Sequence, residues 1–155
     1  MHPLRVAPIE RTVERSNTPA SHLLARLRAA HHEVLTYIGL MEHVTRAPAP
    51  DVQQLTAARL KISQASFARR GLWHEIRDQL QPRATPGDAA VLQELTEVDL
   101  RWFAESSAHV SRWTVQAILA DWEGYQTASR RIRAQIVDAI KTERSLLYPM
   151  LLAHG

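Results

Sequence analysis

The sequence predicts an all-α protein, an up-down-up-down four-helix bundle, from three features. Apolar residues recur at intervals of three and four rather than two, which is the period of an amphipathic helix. Beyond residue 17 the prolines fall in four groups that divide the chain, and proline ends or precedes helices more often than it interrupts them. The chain has 155 residues, 45% of them hydrophobic, which is the size of one domain with one core. Short connections between four such helices make neighbouring helices antiparallel.

The first two helices are predicted near 18 to 45 and 51 to 80. Thr18 places a capping hydroxyl before a proline that suits the first helical turn, and Asp51 is followed at the third position by Gln54, as in a capping box. The inward stripe of the first helix is Leu24, Leu27, His31, Val34 or Leu35, Ile38 and Met41. The inward stripe of the second helix is Leu55, Ile62, Phe67, Leu72, Trp73, Ile76 and Leu80.

The other two helices are predicted near 88 to 118 and 121 to 152, with Asp88 and Asp121 as their N-caps. The third stripe is Leu92, Leu95, Trp102, Val110, Trp113 and Ala117. The fourth stripe is Tyr125, Ile132, Ile136, Ala139 or Ile140, Leu147 and Met150. Residues 1 to 17 fit no stripe, so the predicted organisation is an N-terminal arm over 1 to 17 and one bundle domain over 18 to 155.

Composition excludes several classes of function. There is no cysteine, hence no disulfide framework, thiolate metal site or thiol nucleophile. The formal charge of +3 is spread along the chain, which argues against nucleic-acid binding, and no window reaches the roughly 20 apolar residues that span a bilayer. No phosphate loop, dinucleotide fingerprint, serine-hydrolase elbow or zinc-protease string is present. We therefore expect a cytoplasmic protein that is not an enzyme and binds neither nucleic acid nor membrane.

Four ionisable residues fall on the inward stripes, one on each predicted helix: His31, Arg69, Asp99 and Glu143. Counted from the same end of the bundle, their heights differ by four residues at most, which is about 6 Å along a helix. They are therefore predicted to share one layer of the core. Isolated buried charges cost several kcal/mol each, so such a layer must be internally paired or must hold a metal ion.

Two interpretations of the layer stay open on residue chemistry alone. In the first, Arg69 forms a buried salt bridge with Asp99 and Glu143, because a guanidinium neutralises two carboxylates well and repels a metal ion. In the second, one metal ion is held by His31, Asp99 and Glu143.

Two short strings carry a resemblance to a known family. His31-His32-Glu33 lies within the apolar first helix, and Glu143-Arg144-Ser145-Leu146-Leu147-Tyr148-Pro149 closes the fourth. Both resemble the hemerythrin-like family, also called the HHE cation-binding family, over roughly residues 20 to 152. The resemblance implies a helical bundle that binds non-haem iron and a small ligand such as dioxygen or nitric oxide. The metal ligands that it implies here are His31 or His32, together with Asp99 and Glu143.

The ligand set that the resemblance implies is reduced. The family pattern places Ala139 where a histidine is expected on the fourth helix, and Gln64 at the histidine position of the second. Ala68 and Arg69 stand where the second helix should supply carboxylates. The resemblance therefore implies at most one iron, and the alternative is a metal-free pseudo-hemerythrin that acts as a binding or regulatory module.

The remaining aromatic and histidine residues have simpler interpretations. Trp73, Trp102 and Trp113 lie on the stripes and are predicted to pack in the core. His109 is expected to be a core histidine satisfied by a neighbour, whereas His43 and His74 are expected in solvent. Trp122 is expected to be partly exposed, and a common surface of Trp122, Tyr125 and Phe103 would indicate a homodimer face.

Overall fold

The structure, a computed structural model, describes residues 18–155, and this part of the chain is all-helical, as predicted. It contains four long helices, one short helix and a single 3₁₀ turn, and no strand occurs within it. The predicted arm over 1 to 17 lies outside the described residues. The helices are α1 (Pro19–Thr45), α2 (Val52–Leu80), α3 (Pro86–Arg112), α4 (Val115–Ala120) and α5 (Trp122–Ala153), and the 3₁₀ turn is Gln81–Arg83.

Three of the four predicted N-caps are confirmed. The Thr18 hydroxyl accepts the Ser21 amide at 3.2 Å, and a carboxylate oxygen of Asp51 accepts the Gln54 amide at 3.1 Å. At the start of α5, Asp121 caps the helix in the same way. Each cap satisfies an amide that has no partner inside its helix, so the starts of these helices follow from local sequence.

The predicted boundaries of the third helix were wrong at both ends. Its N-cap is Thr85, and Asp88 lies inside the first turn, where its carboxylate completes a capping box. The helix ends at Arg112, and Thr114 caps the separate helix α4 by accepting the Ala117 amide at 3.2 Å. The apolar period continues across this break, but a threonine hydroxyl that bonds a nearby amide competes with helix continuation.

The long helices pack side by side around three successive hydrophobic clusters. Helix α1 packs against α2 and α5, and α3 packs against α5. Near the start of α1, Arg26 binds Glu75 late in α2, whereas Tyr37 lies under Lys61 earlier in α2, so these two helices run antiparallel. Helices α2 and α3 approach each other less closely than these three pairs do, and an open groove lies between them.

Most stripe residues are buried as predicted, and the exceptions mark the open side. The tryptophans Trp73, Trp102 and Trp113 are 1%, 6% and 8% exposed, which confirms their place in the core. Phe67 and Val110 were expected inside but are 79% and 50% exposed. Both residues border the gap between α2 and α3, where no helix covers them.

Helix α5 continues through Pro149 to Ala153. Proline removes only one backbone donor and the helix tolerates it here close to its end. No helix within residues 18–155 combines the length and the hydropathy needed to cross a bilayer.

Candidate functional site: a buried polar layer and an open groove

The structure brings the four ionisable residues of the predicted layer together in the core. His31 on α1, Arg69 on α2, Asp99 on α3 and Glu143 on α5 are each at most 2% exposed. Each lies on the inward face of its helix because the apolar period places it there. Four helices therefore contribute one polar side chain each to a single cluster.

Arg69 is the centre of this cluster. Its Nη1 donates to Asp99 Oδ1 at 2.8 Å, and its Nη2 forms an ion pair with Glu143 Oε1. The guanidinium also lies over the Trp102 ring, 4.2 Å from the ring centroid, which is a cation–π arrangement. Burial lowers the pKa of Arg69 to about 10, and Asp99 opposes this shift, so the side chain stays protonated at neutral pH.

A second arginine holds the other oxygen of Asp99. Arg70 Nε donates to Asp99 Oδ2 at 3.2 Å, and His74 Nε2 lies 3.6 Å from the same oxygen. Arg70 is only partly buried and lies over the ring of Phe103 at 3.9 Å from its centroid. His74, expected in solvent, is therefore half-exposed at the edge of the layer.

His31 connects the layer to the end of α5. Its Nε2 contacts Glu143 Oε2, and its Nδ1 lies 2.6 Å from the Tyr148 hydroxyl. Burial, and then the nearby positive charge of Arg69, lower the pKa of His31 to about 3, so the imidazole is neutral at pH 7. A neutral imidazole has one N–H, and the carboxylate of Glu143 only accepts. Nε2–H therefore donates to Glu143, and the Tyr148 hydroxyl donates to Nδ1.

The charges of this cluster balance. Arg69 and Arg70 supply two positive charges, Asp99 and Glu143 supply two negative charges, and His31 is neutral. A buried cluster with no net charge, in which each charged group faces an opposite charge, avoids much of the cost of desolvation, although Arg69 Nε has no hydrogen-bond partner among the described residues. The arrangement is electrostatically complete without any added ion.

The atoms of this cluster that could bind a metal ion already face other protein groups. All four carboxylate oxygens of Asp99 and Glu143 face an N–H donor from the protein, and both ring nitrogens of His31 face a protein group. A cation at this position would have to displace the guanidinium of Arg69. Within residues 18–155 no group of three or more His, Cys, Asp or Glu side chains is arranged to hold a metal ion. The residues present do not fit the iron that the resemblance implies.

The other residues singled out by sequence lie elsewhere. His32 is exposed, because it follows His31 by one position and so points away from the core, and it does not join Asp99 and Glu143. His109 is half-buried and stacked on Tyr125, with 5.9 Å between ring centroids. Tyr125 itself is fully buried, so the common surface with Trp122 and Phe103 does not form.

An open groove between α2 and α3 lies beside the layer. Its volume is about 440 Å³, which is within the usual range of roughly 300 to 1,000 Å³ for small-molecule sites. Its lining surface is mainly apolar and includes the side chains of Ile62, Trp102 and Ile136. Phe67 and Phe103 lie at its exposed edge. This concavity on the open side, with its mainly apolar surface, is the candidate ligand site in the described part of the chain.

Small residues keep the groove open. Serines occupy positions of α2 and α3 where the two helices face each other, and one of them, Ser106, has a buried hydroxyl with no hydrogen-bond partner. A serine side chain fills little of the space between α2 and α3, so a gap remains between the two helices. The groove serines are Ser63, Ser66, Ser106, Ser107 and Ser111 on these two helices, and Ser129 on α5.

Positive charge concentrates at the end of the groove near Tyr125. Arg59 lies over the Tyr125 ring at 5.9 Å from its centroid, and Arg133 donates to the Thr45 hydroxyl at 2.7 Å. Neither arginine has a carboxylate within 4.0 Å among the described residues. Both influence the pKa of Tyr125, which burial raises, and Arg59 helps burial to lower the pKa of His109.

Sequence reasoning missed several of these residues. Tyr148 has a visible signal, since it lies in the string that closes the fourth helix and is five residues beyond Glu143. The groove has a weaker signal, the serines that recur within one helical turn of each other on two helices and interrupt otherwise apolar faces. Nothing in the sequence indicates that Arg59 and Arg133 share one end of the groove, because they are distant in the chain.

Comparison with models of known protein families, with curated proteins and with solved structures found no match for this chain.

Proposed function

We propose that this protein is a metal-free binding module, built as an up-down-up-down four-helix bundle of the hemerythrin-like kind, in which the buried polar layer has a structural role. The resemblance of the two strings at His31 and Glu143 supports the fold type. The ligand of the module occupies the groove between α2 and α3.

The observation that carries this proposal is the position of Arg69 between Asp99 and Glu143. In the family pattern this position of the second helix belongs to a carboxylate that binds metal. The guanidinium of Arg69 supplies the positive charge that a metal ion would supply there, and it binds both Asp99 and Glu143. The layer then fixes the register of the helices, since one polar group from each must meet the others.

The groove supplies the surface on which a binding module depends. It is concave, its surface is mainly apolar, and serine and arginine side chains place polar groups along it, so it offers both kinds of contact that a ligand site uses. Phe67 and Phe103 are exposed at its edge, and exposed apolar side chains grouped around a groove are typical of interaction sites.

Metal analysis of protein purified without affinity tags or chelators tests the first half of the proposal. We expect less than a tenth of an equivalent of iron, manganese or zinc, and an unfolding transition that added chelator leaves unchanged. Stoichiometric metal that is lost in Glu143→Ala would contradict the proposal and favour one non-haem iron on His31, Asp99 and Glu143.

A neutral fluorescent probe tests the second half. N-Phenyl-1-naphthylamine should bind the wild-type protein saturably with one site, and Ser106→Leu should abolish binding by filling the groove. Ser145→Leu is the matched control, because Ser145 is exposed on α5 and does not line the groove. Absence of saturable binding, or equal binding by both variants, would remove the groove as the functional site.

A further inference from the structure

The groove between α2 and α3 is chemically asymmetric along its length. From Arg59 to Arg70 on α2 it extends over roughly 16 Å, at 1.5 Å per residue. Arg59 and Arg133 lie at one end, whereas Phe67 and Phe103 lie towards the other. A ligand that fits both ends must itself be polar at one end and apolar along the rest.

The sign of the polar end follows from the lining residues. Asp99 is the one acidic side chain in the lining, and Arg69 and Arg70 already bind its two oxygens. Arg59 and Arg133 therefore add positive charge at this end of the groove, which Glu42 partly offsets at Arg133 from more than 4.0 Å away. Guanidinium groups in a partly desolvated site bind carboxylates strongly, by charge and by paired N–H donors.

The surroundings of the two arginines support an anion. Arg133 is partly buried, and burial lowers its pKa because a charge loses water there. A bound anion would restore that lost solvation. The buried hydroxyls of Tyr125 and Ser129 lie next to each other at the same end of the groove and make its floor polar there.

The apolar body of the ligand has a matching surface. Ile62, Ile132 and Ile136 line the groove, together with Trp102 and the exposed Phe103. Apart from the indole N–H of Trp102, these side chains carry no polar atom, so a hydrocarbon chain displaces water from them at little polar cost.

We propose that the groove binds a small amphiphilic organic anion, a carboxylate with a hydrocarbon body. The carboxylate lies against Arg59 and Arg133, and the hydrocarbon lies along Ile62, Trp102 and Phe103. This inference rests on the proposed binding function and names the chemical class of its ligand.

Competition against the neutral naphthylamine probe tests the ligand class. Decanoate and decanol have the same hydrocarbon chain, so the ratio of their affinities isolates the carboxylate. We expect decanoate to displace the probe at least tenfold more tightly than decanol does at low salt. The ratio should fall to about threefold or less in Arg59→Gln and should stay at the wild-type value in Arg131→Gln, whose arginine is exposed and outside the groove.

The outcomes separate this inference from the function on which it rests. If the probe binds but decanoate and decanol compete equally, the groove binds neutral apolar ligands and the inference is overturned, while the binding function stands. If the affinity ratio is the same in both arginine variants, the carboxylate is not held at Arg59, and the inference is likewise overturned. If the probe does not bind, the proposed function itself fails.

A second copy of the chain is the other occupant to consider. Sedimentation velocity at the concentrations of the titration should show a monomer, with and without decanoate. A dimer that dissociates in Phe67→Ser and excludes decanoate would assign the groove to self-association and overturn the proposal.

Discussion

At the scale of single residues, the main energetic feature is that each buried charge has a partner. The guanidinium of Arg69 is 1% exposed and engages two carboxylates from other helices. Charges without a counter-charge are far more costly in the core than in water. The residues of this layer therefore depend on one another more than on their helices.

Replacing Arg69 by methionine should be strongly destabilising. The variant keeps much of the side-chain volume but leaves two buried carboxylates without their shared cation, so the free energy of unfolding should fall by roughly 3 to 5 kcal/mol. Urea unfolding followed by circular dichroism measures this. Arg131→Met on the exposed face of α5 is the control and should change stability by less than about 0.5 kcal/mol. Equal effects of the two substitutions would mean that Arg69 does not hold the layer together.

His31 makes stability depend on pH. Its pKa is about 3 in the folded protein because of burial, against an ordinary value of 6.5. Between these values the unfolded chain binds a proton that the folded chain excludes, so stability is complete above pH 6.5 and is lost as the pH falls towards 3. One such group contributes a slope of up to about 1.4 kcal/mol per pH unit.

Unfolding measured between pH 6.5 and 5.0 checks this, because the carboxylates contribute less there than at lower pH. His31→Gln should reduce the slope, since glutamine donates to Glu143 without titrating. His32→Gln removes an exposed neighbour and should keep the wild-type slope. Identical slopes in the two variants would show that His31 is not the group responsible.

At the scale of helices, boundaries are set by hydroxyl and carboxylate caps more than by the apolar period. The period predicted one continuous third helix, but Thr85 starts it and Thr114 starts the separate helix α4. A cap acts over three residues and is insensitive to the packing of the rest of the helix. Local hydrogen bonds therefore override the hydrophobic pattern at these positions.

The capping box of α3 gives a prediction at this scale. Thr85 accepts the Asp88 amide at 3.1 Å, and the Asp88 carboxylate accepts the Thr85 amide at 3.4 Å. Thr85→Ala removes the first of these bonds and should lower the free energy of unfolding by about 1 kcal/mol. Thr127→Ala, within α5 and exposed, should leave stability unchanged or slightly raised, because alanine has the higher helix propensity. A loss no larger at Thr85 than at Thr127 would argue against the cap.

At the scale of the whole molecule, the packing is uneven. Helix α1 is in contact with two long neighbours, whereas α2 and α3 leave a gap beside the polar layer. A gap of this kind sacrifices packing between helices, and proteins commonly give up stability at functional sites. The serines that line the gap fit this interpretation, since larger apolar residues there would close it.

Ser106→Leu should therefore stabilise the protein while abolishing probe binding. Its hydroxyl is buried without a partner, so the substitution removes an unsatisfied polar group and fills empty space. We expect a gain of about 1 kcal/mol in unfolding free energy, within the usual range for cavity-filling changes. Thermal unfolding in parallel with the Ser145→Leu control measures this. A destabilised variant would mean that the site around Ser106 has no room for a leucine.

By itself, the sequence determined the all-helical class, most helix starts and the inward positions of His31, Arg69, Asp99 and Glu143. These follow from interactions over three or four residues, which a linear pattern records. The pairing of each carboxylate oxygen with its donor, and the contact of Tyr148 with His31, depend instead on how the helices pack against one another. The groove also depends on tertiary packing, because the distance between α2 and α3 is set by how all the long helices pack together. The hydrophobic period along one helix does not predict the distance between two helices. Residues such as Arg59 and Arg133 therefore come together at one end of the groove only in the folded protein.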